Sequence, residues 1–195
     1  MSLFFIPRPT YLKHALANHL KKPYNTSIWG YLTRVARSMV KEISDEEYYG
    51  NLPKKHIGAV VLLFNEAHQL LLIKPTYKEG WSIPGGGVEQ DETPKTTAVR
   101  EVKEEVGLDL KDVVLICVAY TPRSEIKPET LQFIFYSEDL NVTQIDKIRL
   151  GKKEHSEYKF VDIQEATVLL NERQKHLLPF CIEAVKNNKA VYVEL

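Results

Sequence analysis

The stretch REVKEEVG, residues 100–107, places three carboxylates close together near the end of one predicted helix. Glu101, Glu104 and Glu105 are one to four positions apart, so they share one side of that helix. They also lie in its last turns, where the helix dipole already presents negative charge. Like charges at this spacing destabilise a helix by about 0.2–0.5 kcal/mol per pair. Either a bound cation offsets this repulsion, or the glutamates form an exposed surface on which Arg100 pairs with Glu104.

The residues around this stretch predict where the helix begins and ends. Thr93 is suited to the N-cap, Pro94 to the first helical position and Gly107 to the C-terminal end. One face is apolar at every fourth position, at Ala98, Val102 and Val106. The glutamates lie beside this apolar face, so they remain available to a ligand.

Three consecutive glycines, Gly85, Gly86 and Gly87, precede the helix in the segment WSIPGGGVEQDE. Glycines allow the backbone to approach a ligand closely. Carboxylates together with a backbone carbonyl supply the oxygen ligands that Mg²⁺ or Mn²⁺ prefers, and such a cation also binds phosphate oxygens. Loop and helix together therefore predict a metal site that faces a phosphate-containing ligand.

The segment GGVEQDETPKTTAVREVKEEVGL, residues 86–108, resembles the Nudix box, G-x5-E-x7-R-E-U-x-E-E-x-G-U with U aliphatic. All nine constrained positions are filled, by Gly86, Glu92, Arg100, Glu101, Val102, Glu104, Glu105, Gly107 and Leu108. The resemblance covers about residues 56–190 and does not reach the first 50. It implies an α/β fold, the Nudix α/β/α sandwich with a mixed sheet, for residues 51–195.

The resemblance also implies an activity, the cleavage of a phosphoric anhydride bond with Mg²⁺ or Mn²⁺ as cofactor. The expected substrate is a nucleoside diphosphate derivative, of the nucleoside triphosphate or nucleotide sugar type. One alternative is a non-catalytic Nudix-like module that senses a nucleotide or mediates assembly, but such modules often lose box glutamates and all are present here. A second alternative is a pyrophosphohydrolase that acts on the 5′ end of RNA.

Roles for the box residues follow from the same resemblance. Glu104 and Glu105 are expected to bind the metal, and Glu101 is expected to bind it or to act as general base. Gly85 or Gly86 would supply a carbonyl to the metal, and Arg100 would orient Glu101. Glu92 and Gly107 are expected to be structural.

Residues outside the box are weaker candidates. A further glutamate often completes a Nudix metal site, and Glu154 is the first choice here, followed by Glu157. Substrate contacts are expected from Lys74 and Trp81, together with Gly85 and Gly87, although Lys74 is equally well explained as a solvated strand end and Trp81 as packing. Among the six histidines, only His155 beside Glu154 is of interest.

The remaining sequence predicts the organisation of the chain. Residues 1–50 are expected to form an N-terminal helical extension that packs on the main domain or forms a homodimer. HIGAVVLLF and LLLIKP suggest a hairpin, and further strands are predicted near residues 113–120, 130–140, 157–163 and the C-terminus.

Composition excludes some classes of protein. Lys plus Arg equals Asp plus Glu, 26 each, which makes nucleic acid an unlikely partner because phosphate binding usually requires a basic excess. No apolar run approaches the roughly 20 residues that cross a bilayer, so no membrane association and a cytoplasmic location are expected. Cys117 and Cys181 are interpreted as buried free thiols rather than a disulfide.

Overall fold

The computed structural model describes residues 44–151 and 153–195. The helices expected between residues 10 and 40 lie outside this part of the chain, so the extension over residues 1–50 stays a prediction. The first described helix, α1 (Asp45–Gly50), is capped by Ser44, whose hydroxyl accepts a hydrogen bond from the amide of Glu47 at 3.1 Å. The unit that carries the predicted box spans Pro53–Leu195.

Seven strands and four further helices follow. The strands are β1 (His56–Leu62), β2 (Leu70–Pro75), β3 (Gly85–Gly87), β4 (Val114–Thr121), β5 (Thr130–Tyr136), β6 (His155–Val161) and β7 (Val191–Glu194). The helices are α2 (Pro94–Val106), α3 (Val142–Ile145), α4 (Ile163–Leu169) and α5 (Glu172–Asn187). Five strands form a sheet in the order β3-β1-β5-β4-β7, while β2 and β6 form a two-stranded antiparallel sheet.

The larger sheet is mixed and is covered on both faces. Strand β1 pairs in parallel with β5 and antiparallel with β3, and β4 pairs antiparallel with β5 and in parallel with β7. Ala59 and Val61 of β1 belong to the core beneath α2, whereas Val60 and Leu62 belong to the core beneath α5. Because side chains alternate along a strand, β1 is buried on both faces. The predicted α/β/α sandwich is thus confirmed.

The predicted hairpin is present only at its turn. The amide of Asn65 donates to the carbonyl of Gln69 at 3.1 Å, and His68 adopts the left-handed conformation with φ of 59°. Beyond the turn the strands separate, since β1 pairs with β3 and β5 while β2 pairs with β6. The glycine-rich segment expected to be a loop contributes β3, a strand at the edge of the larger sheet.

Two smaller expectations concern cysteines and membranes. Cys117 and Cys181 are free, buried and part of the same core beneath α5, which confirms their interpretation as buried thiols. Within residues 44–151 and 153–195, no helix combines the length and apolar character needed to cross a bilayer.

Candidate active site

Helix α2 positions the clustered glutamates. It begins after Thr93, whose hydroxyl accepts a hydrogen bond from the amide of Thr96 at 3.1 Å, and it ends at Gly107 with φ of 75°. Ala98, Val102 and Val106 are fully buried under the sheet, as their spacing predicts. This packing fixes the rotation of the helix and directs two of its glutamates towards β3.

Strand β3, the glycine strand, consists of Gly85, Gly86 and Gly87 and contacts these two carboxylates. The amide of Gly85 donates a hydrogen bond to Oε2 of Glu105 at 2.7 Å. A Cβ atom on Gly86 would lie 2.2 Å from Oε1 of Glu101, so any larger residue there would displace that carboxylate. Gly85 itself has a φ of 141°, and a Cβ there would meet the carbonyl oxygen of Ala59 at 2.2 Å. Glycine is therefore required at both positions by close approach.

Arg100 connects three glutamates. Its Nε and Nη2 atoms donate to the two carboxylate oxygens of Glu92 at 2.9 and 3.0 Å. Its Nη1 atom donates to Glu101 at 2.9 Å and to Glu104 at 3.0 Å. The hydrogen bonds from Arg100, and a further one of 2.6 Å from Thr97, lower the pKa of Glu92 to about 2. The network fits the expected structural role of Glu92 and the expected positioning of Glu101 by Arg100.

Glu105 lies in a different electrostatic environment. Its burial, followed by the charges of Glu101 and Glu154, raises its pKa to about 8, although the amide of Gly85 opposes this shift. Nε2 of His155 lies 3.2 Å from Oε1 of Glu105. Burial lowers the pKa of His155, although the charge of Glu154 opposes this shift. Nδ1 of His155 is buried and has no hydrogen-bond partner within the described part of the chain.

The pKa of Glu101, like that of Glu105, is raised. Burial raises its pKa, Arg100 opposes the shift, and the charges of Glu104 and Glu154 add to it. Glu154 therefore acts electrostatically on both Glu101 and Glu105, while its role as a further metal ligand stays a prediction. Glu157, the second choice, instead pairs with Lys74 at 2.8 Å on the β2–β6 sheet.

The segment between β2 and β3 brings two further side chains to the site. Thr76 anchors it, since its amide donates to the carbonyl of Glu154 at 2.8 Å. Burial, followed by the charges of Glu105, Glu154 and Glu101, raises the pKa of Tyr77. The positive charge of Lys78 in turn opposes the raised pKa of Glu105. Tyr77 and Lys78 were not identified from the sequence, because only the pairing of β2 with β6 brings their turn to α2.

Lys74, near the end of β2, lies next to Trp81, which belongs to the segment between β2 and β3. Lys74 lines a cleft of about 570 Å³ with Tyr77 and Lys78, and its ammonium group lies 5.9 Å from the centre of the Trp81 ring. A second ammonium group, that of Lys159, lies 4.8 Å from the same ring. Two residues of this cleft, Tyr77 and Lys78, also interact electrostatically with the carboxylates.

The carboxylate oxygens of this site are of the type that binds a divalent cation. After burial, the charge of Glu154 contributes to the raised pKa of both Glu101 and Glu105, and the charge of Glu101 contributes to that of Glu105, so a cation would reduce this repulsion. Within residues 44–151 and 153–195, no three His, Cys, Asp or Glu side chains already converge as a preformed coordination sphere. Side-chain adjustment, or oxygens of a bound phosphate, would complete the ligand set.

Comparison with known proteins bears on this arrangement. A model of the NUDIX domain matches residues 54–181. An RNA pyrophosphohydrolase from Marinomonas sp. (strain MWYL1) is 45% identical over 56 residues, which are 29% of this chain and 35% of that protein. The match thus spans only about a third of the length of such relatives.

Solved structures agree in fold. A MutT protein from Methanosarcina mazei Go1 superposes with a TM-score of 0.53 at 22% identity, covering 70% of this chain and 97% of that one. An ADP-ribose pyrophosphatase from Streptococcus suis 89-1591 gives a TM-score of 0.52 at 20% identity, with 73% and 100% covered. The domain match extends over more than half of the sequence and includes the helix and the glycine strand that form the site. The chain belongs to the NUDIX domain family.

Proposed function

We propose that this protein is a Mg²⁺-dependent hydrolase of the phosphoric anhydride bond in nucleoside diphosphate derivatives. The observation that carries the proposal is Glu105, whose burial and two neighbouring carboxylates outweigh the positive charge of Lys78. A charged carboxylate is unfavourable in such an arrangement unless a ligand supplies positive charge, and without a ligand the group keeps its proton up to a pH of about 8. Nucleoside triphosphates and nucleotide sugars are the proposed substrate types.

Each part of the site has a proposed role. Glu101, Glu104, Glu105 and Glu154, with the carbonyl of Gly86, would hold Mg²⁺, which when bound would polarise the phosphoryl group and lower the pKa of a water. Arg100 holds Glu101 in position through its hydrogen bond of 2.9 Å. In the alternative role, Glu101 would act as the general base and accept the proton of the attacking water. Lys74 and Lys78 would face the negative charge of the diphosphate.

The test is a substrate panel with matched variants. Nucleoside triphosphates, nucleotide sugars and ADP-ribose would be incubated with Mg²⁺ or with EDTA, and released phosphate and pyrophosphate would be measured. We expect Mg²⁺-dependent turnover of at least one substrate, lost in Glu105→Gln and retained in Glu183→Gln, which makes the same change on the exposed face of α5. Turnover of no member of the panel by the wild type would reject the enzyme and favour a nucleotide sensor.

A second candidate is an RNA 5′-end pyrophosphohydrolase, favoured by the partial match to proteins of that name. The equal numbers of acidic and basic residues argue against a large phosphate-binding surface. A triphosphorylated RNA oligonucleotide in the same assay separates the candidates. If RNA is the substrate, turnover should exceed that of a free nucleoside triphosphate and should fall steeply with salt.

The proposed partners and location are those expected from the sequence. A small nucleotide is the proposed ligand and the cytoplasm the proposed location. The homodimer through the N-terminal helices concerns residues outside the described part of the chain and stays a prediction.

A further inference from the structure

A second polar cluster lies across the sheet from the carboxylates, on the face covered by α5. Gln132 of β5 is 7% exposed, and its Oε1 atom accepts a hydrogen bond of 2.8 Å from Nη2 of Arg173 at the start of α5. The two side chains line a small cavity whose other walls are mostly apolar. With a volume of about 20 Å³ this cavity has room for roughly one water, so a larger ligand would lie at its mouth.

Gln132 and Arg173 both carry N–H groups that make no hydrogen bond within the described part of the chain. The amide nitrogen of Gln132 makes no hydrogen bond within residues 44–151 and 153–195. Arg173 makes one hydrogen bond and no ion pair in the same part of the chain, which leaves several of its five N–H donors free. Burial also lowers the pKa of Arg173, which reflects a guanidinium without a neutralising partner. Both side chains therefore offer hydrogen-bond donors to a ligand, while the amide oxygen of Gln132 is already bonded to Arg173.

The register of the sheet connects this pair with the glycine strand. Gln132 pairs with Gly58, and Gly58 pairs with Gly87 of β3. A Cβ atom on Gly58 would lie 3.1 Å from Nε2 of Gln132, so the amide of Gln132 extends over Gly58 towards β3. Two strand spacings, roughly 10 Å, separate Gln132 from the edge of the sheet. The glycines add no side chain of their own along this path, and the imidazole of His56 lies over its outer end, with Nε2 3.6 Å from where a Cβ atom on Gly87 would be.

We propose that Gln132 and Arg173 determine base specificity, by binding the oxo group of a nucleobase whose diphosphate lies at the carboxylates. The inference rests on the proposed function, because it requires a nucleotide whose diphosphate lies at the carboxylates. A donor pair is complementary to a carbonyl oxygen and its neighbouring acceptor, whereas an exocyclic amine presents a donor to a donor. Bases with an oxo group at the recognised position should bind better than their amino counterparts.

Two nucleotide pairs isolate this difference. Inosine and adenosine diphosphates differ at position 6 of the purine, and uridine and cytidine diphosphates differ at position 4 of the pyrimidine. Their dissociation constants would be measured by calorimetry in the presence of Mg²⁺. We expect the oxo member of at least one pair to bind roughly 5–150-fold more tightly, as one well-placed pair of hydrogen bonds provides.

Variants at the two residues test the assignment. Gln132→Glu preserves the shape of the side chain and the contact with Arg173 but replaces the free amide donor by an acceptor, so the preference should vanish or reverse. Arg173→Lys keeps the charge and removes the planar fork, so the preference should fall even if Gln132→Glu fails to fold. Gln164→Glu makes the same chemical change at an exposed position of α4 and should leave the preference unchanged.

The outcomes separate this inference from the proposed function. Equal affinities within both pairs, preference for the amino bases by the wild type, or an unchanged oxo preference in folded Gln132→Glu and Arg173→Lys would overturn it, as would the absence of nucleotide binding. An oxo preference that both variants abolish supports it, even if the wild type hydrolyses no substrate. In that last case the proposed hydrolase fails while the base site stands.

Discussion

The two ends of helix α2 adjoin carboxylates whose surroundings differ sharply. Just before its start, Glu92 accepts two hydrogen bonds from Arg100 and one from Thr97, and its pKa falls to about 2. Near its end, burial and the charges of Glu101 and Glu154 raise the pKa of Glu105 to about 8. Glu92 is paired with a positively charged side chain of the protein, whereas the positive charge of Lys78 does not prevent the raised pKa of Glu105. This difference separates the residues that build the motif from those proposed to perform its chemistry.

The largest expected effect is at Glu105. Glu105→Gln should nearly abolish Mg²⁺-dependent turnover, because the proposed metal site loses a carboxylate that would bind the cation. The melting temperature without metal should not fall, since the variant also removes a buried carboxylate that is unfavourable when charged. Steady-state kinetics and thermal unfolding would be measured side by side. A variant that unfolds at much lower temperature than the wild type would argue that Glu105 is structural.

Glu92 should behave in the opposite way with respect to stability. Glu92→Gln removes the negative charge and replaces one of the two oxygens that accept from Nε and Nη2 of Arg100 by an amide donor, so the melting temperature should fall. Turnover should drop by roughly 10–100-fold, as is typical when a residue that orients a ligand-binding side chain is replaced. Glu165→Gln, which breaks an exposed pair with Lys159, is the control and should change neither property substantially. Equal stability of Glu92→Gln and the wild type would remove the basis of the comparison.

A substitution at Gly107 tests how much the C-terminal end of α2 contributes to stability. Its φ of 75° disfavours a larger residue, and so does the carbonyl oxygen of Arg149, which would lie 3.0 Å from a Cβ atom at this position. Gly107→Ala should therefore lower the free energy of unfolding by about 1–3 kcal/mol, with a smaller effect on turnover. Gly50→Ala is the control, because a Cβ there would meet no atom of the described residues within 4 Å. Chemical denaturation of both variants checks this prediction, and equal stability of the two would contradict it.

The last prediction concerns the pH dependence of stability. Because the pKa of Glu105 is about 8 in the folded protein and near 4.5 when unfolded, the folded state retains a proton between these values that the unfolded state has lost. The stability of the metal-free wild type should decline relative to Glu105→Gln as pH rises from about 5 to 8. Urea denaturation across this range measures the decline. A difference between the two proteins that is constant with pH would contradict the assigned environment of Glu105.

The sequence predicted the parts of the site that lie close together along the chain. Thr93, Pro94 and Gly107 delimit α2 through local conformational preferences, and the spacing of Arg100 and its glutamates places them on one surface. The box pattern also indicated the roles of these residues. Such features depend on helix geometry, which acts over a few positions.

Other parts depend on pairing between distant segments. Lys74 meets Glu157 across the β2–β6 ladder, which also brings Tyr77 and Lys78 to the carboxylates. The separation of β1 from β2 was not predicted, because a turn between two apolar runs is equally compatible with a hairpin. The contact between Gln132 and Arg173, 41 positions apart, is likewise set by the packing of α5 on the sheet.

The central claim is that the unneutralised carboxylates at the end of α2 bind a divalent cation together with a diphosphate. Calorimetric titration of Mg²⁺ or Mn²⁺ into the protein in the presence of a non-hydrolysable nucleoside triphosphate analogue tests it most directly. We predict saturable cation binding by the wild type and by Glu183→Gln, and greatly weakened binding by Glu105→Gln. Absence of cation binding by the wild type, or equal binding by Glu105→Gln, would contradict the claim.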